Sequence, residues 1–334
     1  MKKILFFFAL SIKALAQTDT TAVDDFSEYG DADDKKIKTF CTQKVLYLSP
    51  TRFISVGYEL QTPFDISSSN VVSSAKPLHS NVSSARGLRL AFNTPVISRS
   101  NFILSLGLTY WNTSFDRGHH TSSSEFKTNL FENGLRTTGV NATIFKPLND
   151  KNFLIFQGNA DLNGTYRNLN EINSKQMTYS AAAIYGWKKS DNLMWGIGAA
   201  RTYRLGELIY VPVFMYNRTF NPKWGLEVLL PSRAAVRRNF GTTSMLLLGY
   251  ELEGNTYYLG ENNGYLRRGE IKPRISYERQ IKNFIWLSAQ AGMRVNGRFN
   301  VFSTQNPAKN ELAIISNTLQ NPFYFNISLN LVSP

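Results

Sequence analysis

Alternation with a period of two runs through most of this 334-residue chain, and no other feature limits its folding as strongly. In residues 153–167, Leu154, Phe156, Gly158, Ala160, Leu162, Gly164 and Tyr166 fall on one side, and Gln157, Asn159, Asp161, Asn163, Thr165 and Arg167 on the other. Successive side chains of an extended strand point to opposite faces, so each such stretch has one apolar and one polar face. Residues 284–298 repeat the pattern, with Ile285, Leu287, Ala289, Ala291, Met293 and Val295 against Ser288, Gln290, Arg294, Asn296 and Arg298. So does the C-terminal stretch, where Phe323, Phe325, Ile327, Leu329 and Leu331 oppose Tyr324, Asn326, Ser328 and Asn330. Further strands are predicted at about 52–61, 86–96, 101–113, 134–146, 176–188, 193–204, 208–219, 223–231, 243–252 and 268–281. Many exceed the roughly five or six residues usual in soluble sheets and reach the ~9–11 that cross a bilayer at a tilt. A soluble sandwich alternates too, so strand length decides for an all-β, transmembrane, antiparallel up-and-down β-barrel.

The ends fit an exported chain. Lys2 and Lys3, the apolar run Ile4–Ile12 and the small-x-small site Ala14-Leu15-Ala16 have the order of a secretory signal, giving a signal peptide over 1–16. Asp19, Asp24, Asp25, Glu28, Asp31, Asp33 and Asp34 then crowd a stretch with little apolar content, so 17–44 is expected to be a flexible periplasmic segment and 45–334 the barrel. Hydrophobic residues make up only 43% of the chain, too few for a bundle of membrane helices. The single cysteine, Cys41, excludes an internal disulfide. A net charge of +13 would fit nucleic acid as a partner, but export removes that option. An outer-membrane barrel has instead lipid, lipopolysaccharide and the barrel-assembly machinery as expected partners.

Connections come in two lengths, as barrels require. Short turns are expected near Ser98–Ser100, Pro147–Asn152, Lys188–Asn192, Asn221–Lys223 and Lys282-Asn283, and long extracellular stretches at 62–84, 114–133, 168–175, 231–242, 260–267 and 299–320. A tight turn at Glu253–Asn255 ahead of a short extra strand at 256–261 gives fourteen strands; if those residues only extend their neighbours, twelve is the natural even number.

Little in the chain carries catalytic chemistry. His79, His119 and His120 all fall in predicted loops without a nucleophile or ligand set fixed beside them, and no phosphate-cradling glycine motif or cofactor site is present. The inward faces do carry charge: Glu59, Asp161, Glu227, Glu251 and Glu278, with Arg89, Arg167, Arg204, Arg218, Arg274, Arg294 and Arg298. Two readings follow. Basic side chains lining a water-filled passage would favour small polar or anionic solutes, whereas pairing with the acids would close the lumen as a polar plug. A second basic group, Arg233, Arg237, Arg238, Arg267 and Arg268, is predicted in extracellular connections, where arginine forks would match glycolipid phosphates. A closed barrel binding glycolipid or an external partner is therefore the alternative to a channel.

Four stretches carry a resemblance: SPTRFISVGYE (Ser49–Glu59), WGLEVLLPSRAAVRRN (Trp224–Asn239), LGYELEGNTYYL (Leu248–Leu259) and LRRGEI (Leu266–Ile271). Together they resemble an uncharacterised outer-membrane barrel family common in Bacteroidetes. The resemblance implies fold and location, and it brings no activity or catalytic residue with it.

Overall fold

The computed structural model describes residues 39–71, 76–121 and 125–333, leaving aside the side chains of residues 120, 121, 125–128 and 169. The signal peptide expected over 1–16, and the acidic stretch up to 38, lie outside the described residues.

Fourteen strands form one antiparallel ring. They are β1 (Arg52–Gln61, resuming as Phe64–Asn70), β2 (Leu78–Arg99), β3 (Phe102–Thr121), β4 (Leu135–Pro147), β5 (Asn152–Gly164), β6 (Met177–Ser190) and β7 (Leu193–Thr202). The ring continues with β8 (Ile209–Thr219), β9 (Trp224–Leu230), β10 (Arg233–Asn239), β11 (Ser244–Tyr258), β12 (Tyr265–Lys282), β13 (Ile285–Met293, resuming as Val295–Phe302) and β14 (Ile315–Leu319, resuming as Phe323–Val332). Each strand pairs with its neighbours in sequence, and β14 pairs back onto β1 from Arg52↔Val332 to Gln61↔Tyr324. Closure leaves no edge exposed along this seam.

Burial along the strands is the reverse of a soluble sheet. On β14 Phe323, Phe325, Ile327, Leu329 and Leu331 point out, and Tyr324, Asn326, Ser328 and Asn330 point in; Ile327 is 61% exposed and Asn330 1%. Leu108, Val140, Phe156, Ile197 and Leu248 extend the exposed apolar band around the ring. Aromatic rings border it. At the mouth holding the tight turns, here the lower mouth, Trp187 stacks on Trp195 at 4.3 Å, and Arg238 lies 5.1 Å from the Trp224 ring. Tyr179 and Tyr210 stand exposed nearer the upper mouth. The tight turn at Asn283, whose φ of 47° suits an asparagine, is where the sequence placed it.

The fourteenth strand is not the one the sequence offered. Glu253–Asn255 form no turn; they lie within β11, paired with Glu270–Arg268 of β12. The extra strand is Arg233–Asn239, inside the stretch 231–242 expected as a long loop, because Pro231-Ser232 turn the chain at once. The β9–β10 hairpin is consequently short. Its pairing reaches only Leu230↔Phe214 on one side and Arg233↔Glu251 on the other, leaving a notch in the wall between the upper parts of β8 and β11.

Above that level β11 has no partner on the β10 side, while β12 stays paired with β13 from Ile271↔Val295 to Tyr265↔Phe302. Residues 254–259 and 266–270 are buried without alternation, so both faces of this hairpin are covered. It leans across the ring to β5, where Thr165 N donates to Tyr258 O at 3.3 Å. Gly164 permits the approach, since a Cβ there would lie 2.9 Å from Tyr258 O. The connection 203–208 packs into the notch behind the hairpin: Arg204 Nη1 donates to Leu252 O and Thr256 Oγ1 to Gly206 O, each at 3.2 Å. The interior beneath the upper mouth is an apolar core of Phe64, Ile66, Val82, Phe115, Leu135, Tyr257, Leu266, Phe299 and Val301, with Leu130 from the helix α1 (Glu125–Asn133).

The lower mouth has its own cover. Residues 39–44, expected to be flexible, and 45–50, expected to begin the barrel, instead form a strap inside the ring. Cys41 and Val45 pack on Phe145, Phe153, Met194 and Met215. Polar bonds tie the strap to the β4–β5 turn and to β8 and β9: Cys41 N to Asn149 O at 2.9 Å, Thr219 Oγ1 to Leu46 O at 2.6 Å, and Ser49 N to Glu227 Oε1 at 3.0 Å.

Candidate channel interior

The middle of the interior holds a compact charge network, and its position follows from three strand breaks at one level. Pro63 interrupts β1, Arg294 interrupts β13 and Pro322 precedes the lower part of β14. Proline cannot donate to a ladder, and side chains replace the lost bonds: Asn321 Oδ1 accepts from Asn296 N at 2.9 Å, and Gln320 Oε1 from Asp65 N at 3.1 Å. The break at Arg294 sends its guanidinium into the ring.

Three carboxylates, Glu59, Glu253 and Glu270, meet four cations there, Arg89, Arg268, Lys272 and Arg294. Arg294 Nε donates to Glu59 Oε1 at 2.9 Å and Nη2 to Glu253 Oε1 at 3.2 Å, and Nη1 pairs with Glu270. Lys272 Nζ bridges Glu59 at 3.1 Å and Glu253 at 2.9 Å. Arg89 Nη2 reaches the same two carboxylates at 3.3 and 3.1 Å, and Arg268 Nε meets Glu270 at 2.6 Å. Aromatic faces finish the enclosure, with the Tyr324 ring 4.4 Å from Lys272 Nζ and the Trp111 ring 5.4 Å from Arg89. Charges this deep persist only when each is held by several partners, as here. On this side of the lumen the inward charges are paired.

The side bounded by β5–β11 is different. Asp161, Glu227, Arg233, Glu251 and Arg274 point inward, with Arg204 reaching in from the 203–208 connection. Arg274 pairs with Glu251, and the buried Arg237 with Glu227 at 3.4 Å. Arg233 faces the interior and is solvent-exposed. On the same side the inner faces of β6–β8 carry small apolar residues, among them Ala182, Ala200 and Val211, all half-buried. The lumen is thus two-sided in chemistry.

Several expected positions move. Arg167 lies beyond β5 in the connection 165–176, where its guanidinium donates to Glu132 O. Arg218 points outward near the lower rim, 5.1 Å from the Phe220 ring, because Asn217 and Thr219 take the inward positions of β8. Arg298 turns away from the Phe299–Val301 core and pairs with Glu207 behind the leaning hairpin, beside Arg267 at 3.1 Å from the same glutamate. The proposed glycolipid contacts are not loop tips. Arg233 and Arg237 face inward on β10, Arg238 sits in the lower aromatic rim, and Arg267 and Arg268 are buried on β12. Glu278 does line the interior, paired with Arg52.

Residues 66–331 match the model of the family described as Domain of unknown function (DUF6268). The chain belongs to this family. No curated protein matches it. Among solved structures, the DUF6268 chain is similar to the COG4313 outer membrane channel from Pseudomonas putida F1, at 14% identity and a TM-score of 0.38, covering 91% of this chain and 100% of that one. It is also similar to the P. putida toluene transporter TodX, at 8% identity and 0.38, covering 86% and 92%. A Pseudomonas aeruginosa FadL homologue matches at 10% identity and 0.40, covering 84% and 90%.

Lys272, Glu253 and Glu270 belong to the network of this DUF6268 chain without having stood out in the sequence. Glu253 resembled a turn residue beside Gly254 and Asn255, and Lys272 and Glu270 share the face of Arg274 and Glu278, both read as inward, but were not singled out themselves. Their shared spacing of two with Arg268 and Arg274 was the available signal.

Proposed function

We propose that this chain is an outer-membrane transport barrel, a conduit without catalytic chemistry, in an occluded state. The exposed apolar band between aromatic rims supports the membrane setting, since only a closed ring satisfies every backbone group in lipid. One observation carries the transport reading: both mouths are covered by the chain's own segments, while the interior between them keeps an exposed, charged wall at Arg233. The strap is the simpler cover to displace, being anchored by isolated polar bonds and two buried apolar side chains, Cys41 and Val45. The preference for small anions expected from the basic composition has weaker support, because nearly every inward arginine has a carboxylate partner.

Planar-bilayer recording tests the reading. The protein should give small or intermittent conductance, and Val45→Asp, which puts a charge into the apolar seat of the strap, should give larger and steadier events. Silence from both proteins in a correctly inserted membrane would overturn it.

A further inference from the structure

The notch floor carries a cation that the folded chain leaves unused. Arg233 is in register with Leu229 on one side and Glu251 on the other, so its side chain points into the ring. Both neighbouring carboxylates are engaged elsewhere. Glu251 pairs with Arg274, and Glu227 accepts from Ser49 N at 3.0 Å and Ser49 Oγ at 2.9 Å while pairing with Arg237. The fields of Glu251 and Glu227 act on Arg233 first, and Arg204 and Arg274 set positive charge against them at the same place. Among the described residues, no hydrogen bond or ion pair holds the Arg233 guanidinium, and it is exposed toward the interior. A bidentate fork left in this condition suits a carboxylate, sulfonate or phosphate.

The neighbouring wall sets the rest of the ligand. Val211, Ala200 and Ala182 face the same interior from β8, β7 and β6, and they are in register across those strands at Ala200↔Val211 and Ala182↔Ala200. They form a shallow apolar strip beside the notch, with side chains too small to fill the space themselves. We propose that Arg233 and this strip form a binding site for an amphipathic anion, one acidic group on the guanidinium and an apolar body against Val211, Ala200 and Ala182. The proposal rests on the transport reading and gives that conduit its solute class.

Calorimetric titration of the amphipol-held protein with naphthalene-2-sulfonate tests it, with methanesulfonate and 2-naphthol as probes carrying only the acid or only the ring. The full probe should bind best. Arg233→Gln should weaken it at least about tenfold, the loss of one charge-assisted contact. Arg233→Lys should restore part of that, and Val211→Asn should weaken the naphthalene probe while sparing methanesulfonate. Equal binding to Arg233→Gln, or methanesulfonate binding as well as the naphthalene probe, would overturn the site. Because this readout is independent of conductance, Arg233-dependent binding in a silent protein would remove the channel and keep the site. Conductance without such binding would do the opposite.

Discussion

Arg294 and Glu59 face each other across the seam region of the ring, the guanidinium fully buried and its Nε 2.9 Å from the carboxylate. Removing either partner strands the other in a place water does not reach. Glu59→Ala should therefore destabilise the barrel by about 3–5 kcal/mol. Glu59→Gln with Arg294→Met should recover part of the loss. Denaturant titration in detergent, read by heat-modifiable gel migration, checks both; equal stability of the single and double variants would sink the account.

The outer face permits a simpler test. Leu248 is 62% exposed and in register with Val236 and Ile275, well inside the apolar band. Leu248→Arg should cost roughly 2–4 kcal/mol if it sits near the bilayer midplane. Refolding yield into vesicles should fall accordingly, while Leu248→Val should leave it nearly unchanged.

Gly254 tests whether the leaning hairpin is locked from behind. A Cβ there would lie 2.5 Å from Arg268 O and 2.6 Å from Arg204 O, both backbone atoms with little freedom to yield. Gly254→Val should push the 203–208 connection and the hairpin apart, costing about 1–3 kcal/mol by overpacking. Cleavage within 203–208 by an added protease should become faster than in the parent protein.

The strap makes a fourth prediction. Glu227 holds Ser49 and pairs with the buried Arg237. Glu227→Gln keeps an acceptor for Ser49 but removes the charge opposite Arg237, so strap release, measured by protease access to residues 39–50, should rise modestly. Glu227→Ala should raise it further. An unchanged cleavage rate in both would mean that apolar packing alone seats the strap.

How much of this was legible in the sequence depended on how many faces of a segment met the same surroundings. On β14 the inner and outer sides differ, and the alternation from Phe323 to Leu331 gave strand, register and orientation together. In the β11–β12 hairpin both faces are buried by protein, so Glu253–Gly254–Asn255 lost the alternating signal and resembled a turn. Arg233, Arg237 and Arg238 looked like a basic loop because three arginines in so short a stretch suit water; their separation into inner and outer positions depends on the Pro231-Ser232 turn. The strap has no period at all. Which charges meet was beyond local pattern, since Glu59 and Arg294 are 235 positions apart and are joined only through the register of strands from opposite ends of the chain.

The seam between β1 and β14 also imposes an order in time. Phe323 N donates to Thr62 Oγ1 across 261 positions, and at the opposite end of the same ladder Ser333 N donates to Thr51 O at 2.8 Å. Until the last strand has been synthesised and delivered, the growing sheet has two raw margins and no enclosed volume in which the network around Glu59 could form. A fragment ending before Phe323 is then not a smaller barrel but an open ribbon. Enclosure is complete only when Phe323–Val332 have paired with Arg52–Gln61.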